Sequence, residues 1–384
     1  MQFKDKTLPI SNQFLCLKNL KNQKFIPKIT SVYIEISGNC NAKCPYCARQ
    51  HFKNRYAGNY MSSVLFEQII DRLLYLGLLK SSKTTTSTIS LYNWGEPFLN
   101  PEINNILIIL QKNNLFANVS SNFIKKPIIE KENFKILSEV TFSLSGFTQE
   151  SYGKIHGSNL KKVLNHFEEF YKEILNYAPT TRIKIAWHRY TFNEQELWDA
   201  YKYFDRPGIS FNPVVAYLND ISEMQNFVDG ELSYQRKLNV EKDLFLSHIS
   251  KKLTDHKSKH HDCFMWNYIA VDEIGQLLLC CGGTNNEQKY ILGNILQMSI
   301  EEVWLKKIFN KTCKKCILSG IPHALGPIGY KTLPSGGKRI KYKLIYNLVF
   351  PNGFSRTVLS KIAIMVSHIP YGVNIIKQIK NKYA

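Results

Sequence analysis

The segment that decides the fold is a strand running into a cysteine-rich loop: Val32-Tyr-Ile-Glu-Ile-Ser37, then Gly38-Asn39, then Cys40-Asn-Ala-Lys-Cys44-Pro-Tyr-Cys47. The first part is rich in β-branched and aromatic residues and holds no breaker, which predicts a buried strand. Gly38 and Asn39 predict a turn. The three cysteines should therefore lie on a loop at the carboxyl end of a strand, where α/β barrels carry their reactive groups.

Three thiolates on one loop suit either an iron–sulfur cluster or a zinc ion. Structural zinc sites usually present Cys-x2-Cys pairs and complete four ligands. Here the spacing is Cys-x3-Cys-x2-Cys, and the next cysteine along the chain is Cys263. A four-iron cubane held by three cysteines keeps one iron open to an outside ligand, so the spacing favours a cluster.

This spacing, with Tyr46 directly before the last cysteine, resembles the signature of the radical S-adenosylmethionine (SAM) superfamily. The resemblance implies that Cys40, Cys44 and Cys47 bind a 4Fe–4S cluster whose open iron is chelated by SAM. It also implies reductive cleavage of SAM to methionine and a 5′-deoxyadenosyl radical, which abstracts hydrogen from a substrate. The alternative for this loop is a zinc site or three incidental thiols.

The composition predicts a globular cytoplasmic protein with room for two or three domains. Of 384 residues, 44% are hydrophobic and 12% aromatic, which is enough to bury a large core. No run of about eighteen apolar residues predicts a transmembrane helix, and the start lacks an apolar signal region. Because cytosolic thiols stay reduced, we expect the nine cysteines to include metal ligands and no disulfides.

The net charge of +20 would suit an anionic partner such as nucleic acid or a membrane surface. The sequence has no Arg-rich block and no aromatic-basic RNA-binding motif. Lysines spread over solvent-exposed faces account for the charge, so we expect no nucleic-acid partner.

Strand-like and helical patterns alternate between residues 31 and 220, which predicts a parallel sheet with helices outside it. The predicted strands are Val32–Ser37, Thr88–Asn93, Ala117–Ser121, Val140–Leu144, Arg182–Trp187 and Ile209–Val215. The predicted helices are Ser63–Leu79, Ile103–Asn113, Phe134–Ser138, Leu160–Asn176 and Glu194–Phe204. The predicted fold class is α/β, and the number of units matches the partial (β/α)6 barrel of the radical SAM family.

The second predicted strand ends at Tyr92-Asn-Trp-Gly95-Glu96-Pro97, which resembles the family's glycine–glutamate motif. In the family this motif holds the amino group of SAM; glycine lets the backbone approach a ligand closely. Trp94 departs from the pattern, since many members have a first glycine there. The resemblance also implies SAM contacts at Tyr46, Gly95, Glu96, Pro97, Ser121, Asn122, Ser143 and Ser145.

The polar residues at the strand ends have an ordinary alternative, because serine and asparagine are common in turns and caps. Ser145 and His156 also depart from the family, where Asp and Arg often stand at these positions. The carboxylate contacts usually assigned there are therefore in doubt, although His156 retains a hydrogen-bond donor.

A second cysteine group follows, in a segment with a predicted hairpin (Tyr268–Asp272 and Gln276–Cys281) and a helix capped by Ser299. It resembles the abbreviated twitch form of the SPASM extension, in which four cysteines bind one auxiliary 4Fe–4S cluster. Those four are Cys263, Cys280, Cys313 and Cys316. A hairpin with a Cys-x2-Cys pair also resembles a zinc ribbon, so zinc is the alternative.

Cys281 is left over beside Cys280. Some radical epimerases of this architecture use a free thiol as a hydrogen-atom donor, and Cys281 is the candidate for that role. The alternative is a small hairpin residue without chemistry. Neighbouring side chains of a strand face opposite ways, so we do not expect both cysteines to ligate one cluster.

The sequence thus predicts five parts: a lead-in (1–30), a radical SAM core (31–220), a helical linker (221–262), a SPASM/twitch-like domain (263–320) and a basic tail (321–384). The tail interleaves apolar patches with lysines. It predicts a helical cap on the barrel, with peripheral membrane contact as the alternative.

The predicted function is a radical SAM enzyme that performs dehydrogenation or epimerisation, because a fully ligated auxiliary cluster would relay electrons. Since we expect no leader-peptide domain ahead of the first strand, a carbohydrate or other small metabolite is the expected substrate. A peptide or protein maturase is the alternative within the family, and a zinc-stabilised basic binding protein is the alternative outside it. The expected electron donor is an external flavodoxin or ferredoxin.

Overall fold

The structure, a computed structural model, describes residues 29, 31–51, 58–81, 87–258 and 263–325. Its strands are β1 (Ser31–Ile34), β2 (Thr88–Ser90), β3 (Phe116–Ser121), β4 (Leu137–Leu144), β5 (Arg182–Arg189), β6 (Ile209–Val215), β7 (Tyr268–Val271), β8 (Gln276–Leu278) and β9 (Ile291–Asn294). Its α-helices are Ser63–Tyr75, Ile103–Lys112, Gln149–His156, Leu160–Tyr177, Leu197–Phe204, Ile221–Asp229, Tyr234–Asp243, Leu246–His256, Ile300–Ile308, Lys311–Leu318 and Ile321–Leu325. The predicted lead-in and most of the basic tail lie outside the described residues.

One sheet contains all these strands in the order β6-β5-β4-β3-β2-β1-β7-β8-β9. Neighbours from β1 to β6 pair in parallel. β7 also pairs in parallel with β1, and β8 and β9 follow it antiparallel. Because β6 and β9 lie at opposite edges, the sheet is open, and the predicted α/β partial barrel is confirmed.

The structure corrects several of the predicted elements. The strands predicted at Val32–Ser37 and Thr88–Asn93 end earlier, at Ile34 and Ser90. Residues 134–138 are not an α-helix: a 3-10 turn spans Lys131–Ile136 and β4 begins at Leu137, which pairs with Ala117. The first helix ends at Tyr75, because Gly77 has a φ of 67° that turns the chain away. The helix Gln149–His156 was not predicted; Thr148 caps its start and Gly157, with a φ of 69°, ends it.

The two faces of the central sheet have opposite character. On one face, Phe142 stacks on Phe167 with ring centroids 5.0 Å apart, and Phe204 contacts Phe142 edge-on at 6.0 Å. Burying each such side chain stabilises the fold by about 1.5–3 kcal/mol. The other face carries polar side chains, so the core lies between the sheet and its outer helices.

The helices Ile221–Asp229, Tyr234–Asp243 and Leu246–His256 occupy the predicted linker. Their apolar side chains pack into a cluster that also contains Tyr46 and Cys316. Within the described ranges, no helix combines the length and the apolar character that a membrane span needs.

Candidate functional site

The first cysteine loop follows β1 and ends in a tight turn, in which the Cys47 backbone N–H donates to the Cys44 carbonyl at 3.4 Å. Cys40, Cys44 and Cys47 form no disulfide, and their side chains are partly exposed. Burial raises the pKa of the Cys40 thiol to about 12. The free thiol is therefore neutral, and binding a metal as thiolate would release its proton.

A cubane binds each thiolate to a different iron, so its cysteines need not converge on one point. Within the described chain, no three cysteine, histidine or acidic side chains converge on a single-ion site.

His156 supports the loop from the end of its helix. Its carbonyl accepts from the Lys43 backbone N–H at 3.1 Å, its Nδ1 lies 3.6 Å from Cys44 Sγ, and its ring stacks on Tyr152 at 4.6 Å. Burial lowers the pKa of His156 to about 3, so the imidazole is neutral. Its Nε2 is buried without a hydrogen-bond partner among the described residues. A polar atom in that state beside a cysteine fits a site that holds a further group.

Glu96 lies directly beyond β2, only 3% exposed. Its carboxylate accepts from the backbone N–H groups of Asn122 at 2.8 Å and Phe98 at 3.3 Å. Burial nevertheless raises the pKa of Glu96 to about 7. A Cβ at Gly95 would lie 1.7 Å from the Ser37 carbonyl oxygen, so only glycine fits there.

Asn122 connects this carboxylate to the cysteine loop. Its side-chain amide donates to Asn41 Oδ1 at 2.9 Å and lies 3.7 Å from Cys40 Sγ. Ser121 lies beside it and hydrogen-bonds Glu96. The structure thus brings Glu96, Ser121 and Asn122 together at the first cysteine.

Two predicted serines lie in a different part of the site. Ser143 Oγ lies 3.2 Å from Ser120 Oγ on the polar face of the sheet. Ser145 Oγ lies 3.4 Å from His188 Nδ1, and burial lowers the pKa of that histidine to about 4. Pro97 begins the 3-10 turn that Glu96 caps. The SAM contacts assigned to these residues stay predictions.

Tyr46 packs towards the helices of the linker. Its hydroxyl donates to Asp243 Oδ2 at 2.8 Å, and its carbonyl accepts from the Asn219 N–H at 3.1 Å. The Arg236 guanidinium lies 5.0 Å from the Tyr46 ring and donates to the Pro45 carbonyl at 2.9 Å. The side chain therefore anchors the helices to the loop.

Glu35 is a buried carboxyl that the sequence reasoning missed, only 4% exposed. Its Oε1 accepts from the backbone N–H groups of Trp94 at 2.9 Å and Gly95 at 2.5 Å. Burial first, and Glu273 second, raise the pKa of Glu35 to about 8, while Arg49 opposes them. An acidic residue inside an otherwise apolar strand was the available signal.

The second site is a cavity lined by the four predicted auxiliary ligands, Cys263, Cys280, Cys313 and Cys316, and also by Cys281. β8 ends at Leu278, so Cys280 and Cys281 lie beyond the strand. Strand alternation therefore does not apply to them, and both reach the cavity. Burial raises the pKa of the Cys281 and Cys313 thiols to about 12.

Lys307 supplies a cation next to this cavity. Its side chain is 0% exposed, and its ammonium donates to the Tyr268 carbonyl. Burial lowers the pKa of Lys307 to about 8, although the nearby cysteines oppose that shift. A buried cation favours thiolate ligands over neutral thiols.

Comparison with known proteins bears on this second site. Residues 263–318 match the model of the SPASM family, described as an iron–sulfur cluster-binding domain. No curated protein matches the sequence. The match agrees with the iron–sulfur prediction for the auxiliary cysteines.

Several solved structures are similar to parts of the chain. Native anSMEcpe with bound AdoMet is 18% identical, with 78% of this chain and 84% of that chain covered and a TM-score of 0.46. SuiB of Streptococcus suis bound to precursor peptide SuiA is 16% identical, with 81% of this chain and 74% of that chain covered and a TM-score of 0.45. BtrN in complex with AdoMet and 2-DOIA is 13% identical, with 77% of this chain and 91% of that chain covered and a TM-score of 0.41. These identities and TM-scores are too low to transfer an activity to this chain.

Proposed function

We propose that this chain, a radical SAM protein with a SPASM-type iron–sulfur domain, abstracts hydrogen from a carbohydrate or another small hydroxyl-bearing metabolite. When bound, the cofactors supply an electron that cleaves SAM to methionine and a 5′-deoxyadenosyl radical. The proposed outcome is dehydrogenation or epimerisation, with an external flavodoxin or ferredoxin as electron donor. The proposed parts are a core at 31–220, a linker at 221–262 and an auxiliary domain at 263–320.

In this proposal, Cys40, Cys44 and Cys47 would hold the SAM cluster. Glu96 would accept the ammonium of SAM, and Gly95 would let the backbone approach it. A bound ammonium favours the ionised carboxyl and would lower the pKa of Glu96 from its value in the free protein. The auxiliary cluster would be held by Cys263, Cys280, Cys313 and Cys316.

The polar face of the sheet supports a small hydroxyl-bearing substrate. Ser143 pairs with Ala186, and Ala186 with Asn212, so side chains at these positions share one face. Asn212 is 7% exposed, and its Oδ1 has no hydrogen-bond partner among the described residues. An acceptor left unpaired in that way needs a donor, and substrate hydroxyl groups supply one.

The Ser120–Ser143 hydroxyl pair lies on the same face and can both donate and accept. The face thus combines hydroxyl and amide groups, the pattern suited to a sugar or cyclitol. This pattern is the single observation that carries the substrate class.

The test traces hydrogen. Reduced protein is incubated anaerobically with SAM and a panel of deuterated sugars, cyclitols and peptides, and 5′-deoxyadenosine is analysed by mass spectrometry. Deuterium transfer from a sugar or cyclitol supports the proposal, whereas transfer only from a peptide supports a maturase. Zinc without iron in anaerobically purified protein would establish the zinc-stabilised alternative instead.

Cys281 distinguishes the two outcomes. In epimerisation its S–H bond would break and the hydrogen atom would join the substrate radical. The resulting thiyl radical would return to the thiol by taking one electron from the flavodoxin or ferredoxin and one proton from solvent. In dehydrogenation the substrate radical would instead lose a proton to solvent and return an electron to the oxidised flavodoxin or ferredoxin, and Cys281 takes no part. Cys281→Ala should therefore stop the incorporation of solvent hydrogen by an epimerase, while product from a dehydrogenase continues to form.

A further inference from the structure

Trp94 touches both proposed cofactor sites. Its backbone N–H donates to Glu35 Oε1 at 2.9 Å, directly before the Gly95–Glu96 pair. Its indole Nε1–H donates to the Gly283 carbonyl at 2.9 Å, and the ring lines the cavity of the auxiliary cysteines. One residue therefore joins the proposed SAM-binding loop (residues 94–97) to the wall of the second site.

The partner of the indole belongs to the loop that carries two of the cavity cysteines. The Gly283 N–H donates to the Cys280 carbonyl at 3.2 Å, which closes a turn around Cys281. A Cβ at Gly283 would lie 2.7 Å from Cγ of the buried Tyr290, so the turn is seated on that ring. The bond from Trp94 holds this turn from the side that faces the SAM-binding loop.

The backbones beneath Trp94 are already joined. Ile34 of β1 pairs with Val271 of β7, and the Glu35 N–H donates to the Val271 carbonyl at 2.8 Å. A Cβ at Gly38 would lie 2.2 Å from the Glu273 carboxylate, which shows how closely the hairpin turn approaches the first cysteine loop. Trp94 adds a side-chain hydrogen bond between two segments whose backbones are already joined by strand pairing.

We propose that Trp94 is a positioning residue that couples the two cluster sites. It shields one wall of the auxiliary cavity from water. It also fixes the position of the 280–283 turn relative to Gly95 and Glu96. The inference rests on the cluster assignments of the proposed function and is independent of the substrate. It also explains why tryptophan stands where many members of the family have glycine.

The properties of an iron–sulfur cluster make this link measurable, because its reduction potential depends on hydrogen bonds and solvent exposure. Water stabilises the more negatively charged reduced state. Opening the wall should therefore raise the potential of the auxiliary cluster. Loss of the indole hydrogen bond alone should have a smaller effect.

The test uses full-length protein with Cys40, Cys44 and Cys47 replaced by alanine, so that the auxiliary cluster is the one observed. Its midpoint potential is measured by EPR-monitored redox titration in the parent and in Trp94→Phe, Trp94→Ala and Trp187→Phe. Trp187 is the matched control, since it is fully buried and its indole nitrogen has no partner among the described residues. We expect the largest rise for Trp94→Ala, a smaller shift for Trp94→Phe, and none for Trp187→Phe.

A second measurement examines coupling in protein that carries both clusters. Addition of SAM should change the EPR spectrum of the auxiliary cluster, and Trp94→Phe should remove most of that change. Unaltered potentials in both Trp94 variants would overturn the proposal, as would equal shifts in Trp187→Phe. Loss of auxiliary iron in Trp94→Ala but not in Trp187→Phe would support it. Failure to find a substrate would leave all these readings intact, so the two proposals fail separately.

Discussion

The two cysteine sites are built in opposite ways. The first takes its three cysteines from one loop, residues 40–47, directly after β1. The second takes its cysteines from the start of a 3-10 turn, the end of a hairpin and the helix Lys311–Leu318. A local site keeps its ligands together whatever the rest of the chain does, whereas a dispersed site exists only after three elements have docked.

The buried charged groups of the two sites also differ. The first site has buried carboxyls, Glu35 and Glu96, whose pKa values are raised to about 8 and about 7 by burial. The second has a buried cation, Lys307, beside its cysteines. Acceptors at the first suit a cationic ligand, and a cation at the second suits an anionic cluster.

Removal of the local site should have the largest effect. In Cys40→Ala/Cys44→Ala/Cys47→Ala, we expect complete loss of 5′-deoxyadenosine formation while auxiliary iron remains, because the second site uses no residue of this loop. Measuring 5′-deoxyadenosine and iron content on the same sample checks both expectations. Persistent SAM cleavage in the triple variant would refute the central assignment.

Removal of one cysteine of the second site should have the opposite effect on the two sites. Cys316→Ala should lose the auxiliary cluster yet keep SAM cleavage, since Cys316 lies on a separate helix. Cys281→Ala is the matched control: the same cavity loses a thiol, but iron content should stay at the parent level. Equal iron loss in both variants would show that Cys281 is a ligand.

Glu96→Gln should weaken SAM binding about tenfold or more, because a bond to a charged group is worth roughly 1.5–3 kcal/mol. Glu102→Gln is the control, since that carboxylate accepts from Ser63 at 2.6 Å and 3.1 Å and lies outside the proposed site. Equilibrium binding of SAM measures both. Unchanged affinity for SAM in Glu96→Gln would show that Glu96 does not bind the ammonium group.

The same carboxyl makes binding depend on pH. Since the pKa of Glu96 is raised to about 7 in the free protein, the carboxyl is protonated below that pH and ionised above it. Affinity for SAM should fall as the pH decreases through 7, and this dependence should be absent in Glu96→Gln. An identical pH profile in the two proteins would contradict the contact.

Glu35 should affect the stability of the fold and leave SAM binding unchanged. Its pKa is raised from 4.5 to about 8 in the folded chain, so the folded state holds a proton that the unfolded state has released. The free energy of unfolding should therefore decrease as the pH rises from 4.5 through 8. Chemical denaturation at pH 5 and pH 9 should show this decrease in the parent and less of it in Glu35→Gln.

Much of the first site was predictable because its information is local. The Cys-x3-Cys-x2-Cys spacing, the strand before it and the Gly95–Glu96 pair can all be read along the chain, and the structure brings Glu96, Ser121 and Asn122 together. The role of Tyr46 shows the limit: its hydroxyl bonds Asp243, which is 197 residues away in the sequence. A partner at that separation leaves no pattern near the motif.

The sequence by itself determined which cysteines lie close together along the chain, and from that spacing we predict the ligand set of each site. Only the tertiary structure decided how the sites are related. β7 pairs with β1, and Trp94 reaches from the proposed SAM-binding loop to Gly283. Strand pairing between distant segments depends on which edge of the sheet remains free, and periodicity along the chain does not encode that choice.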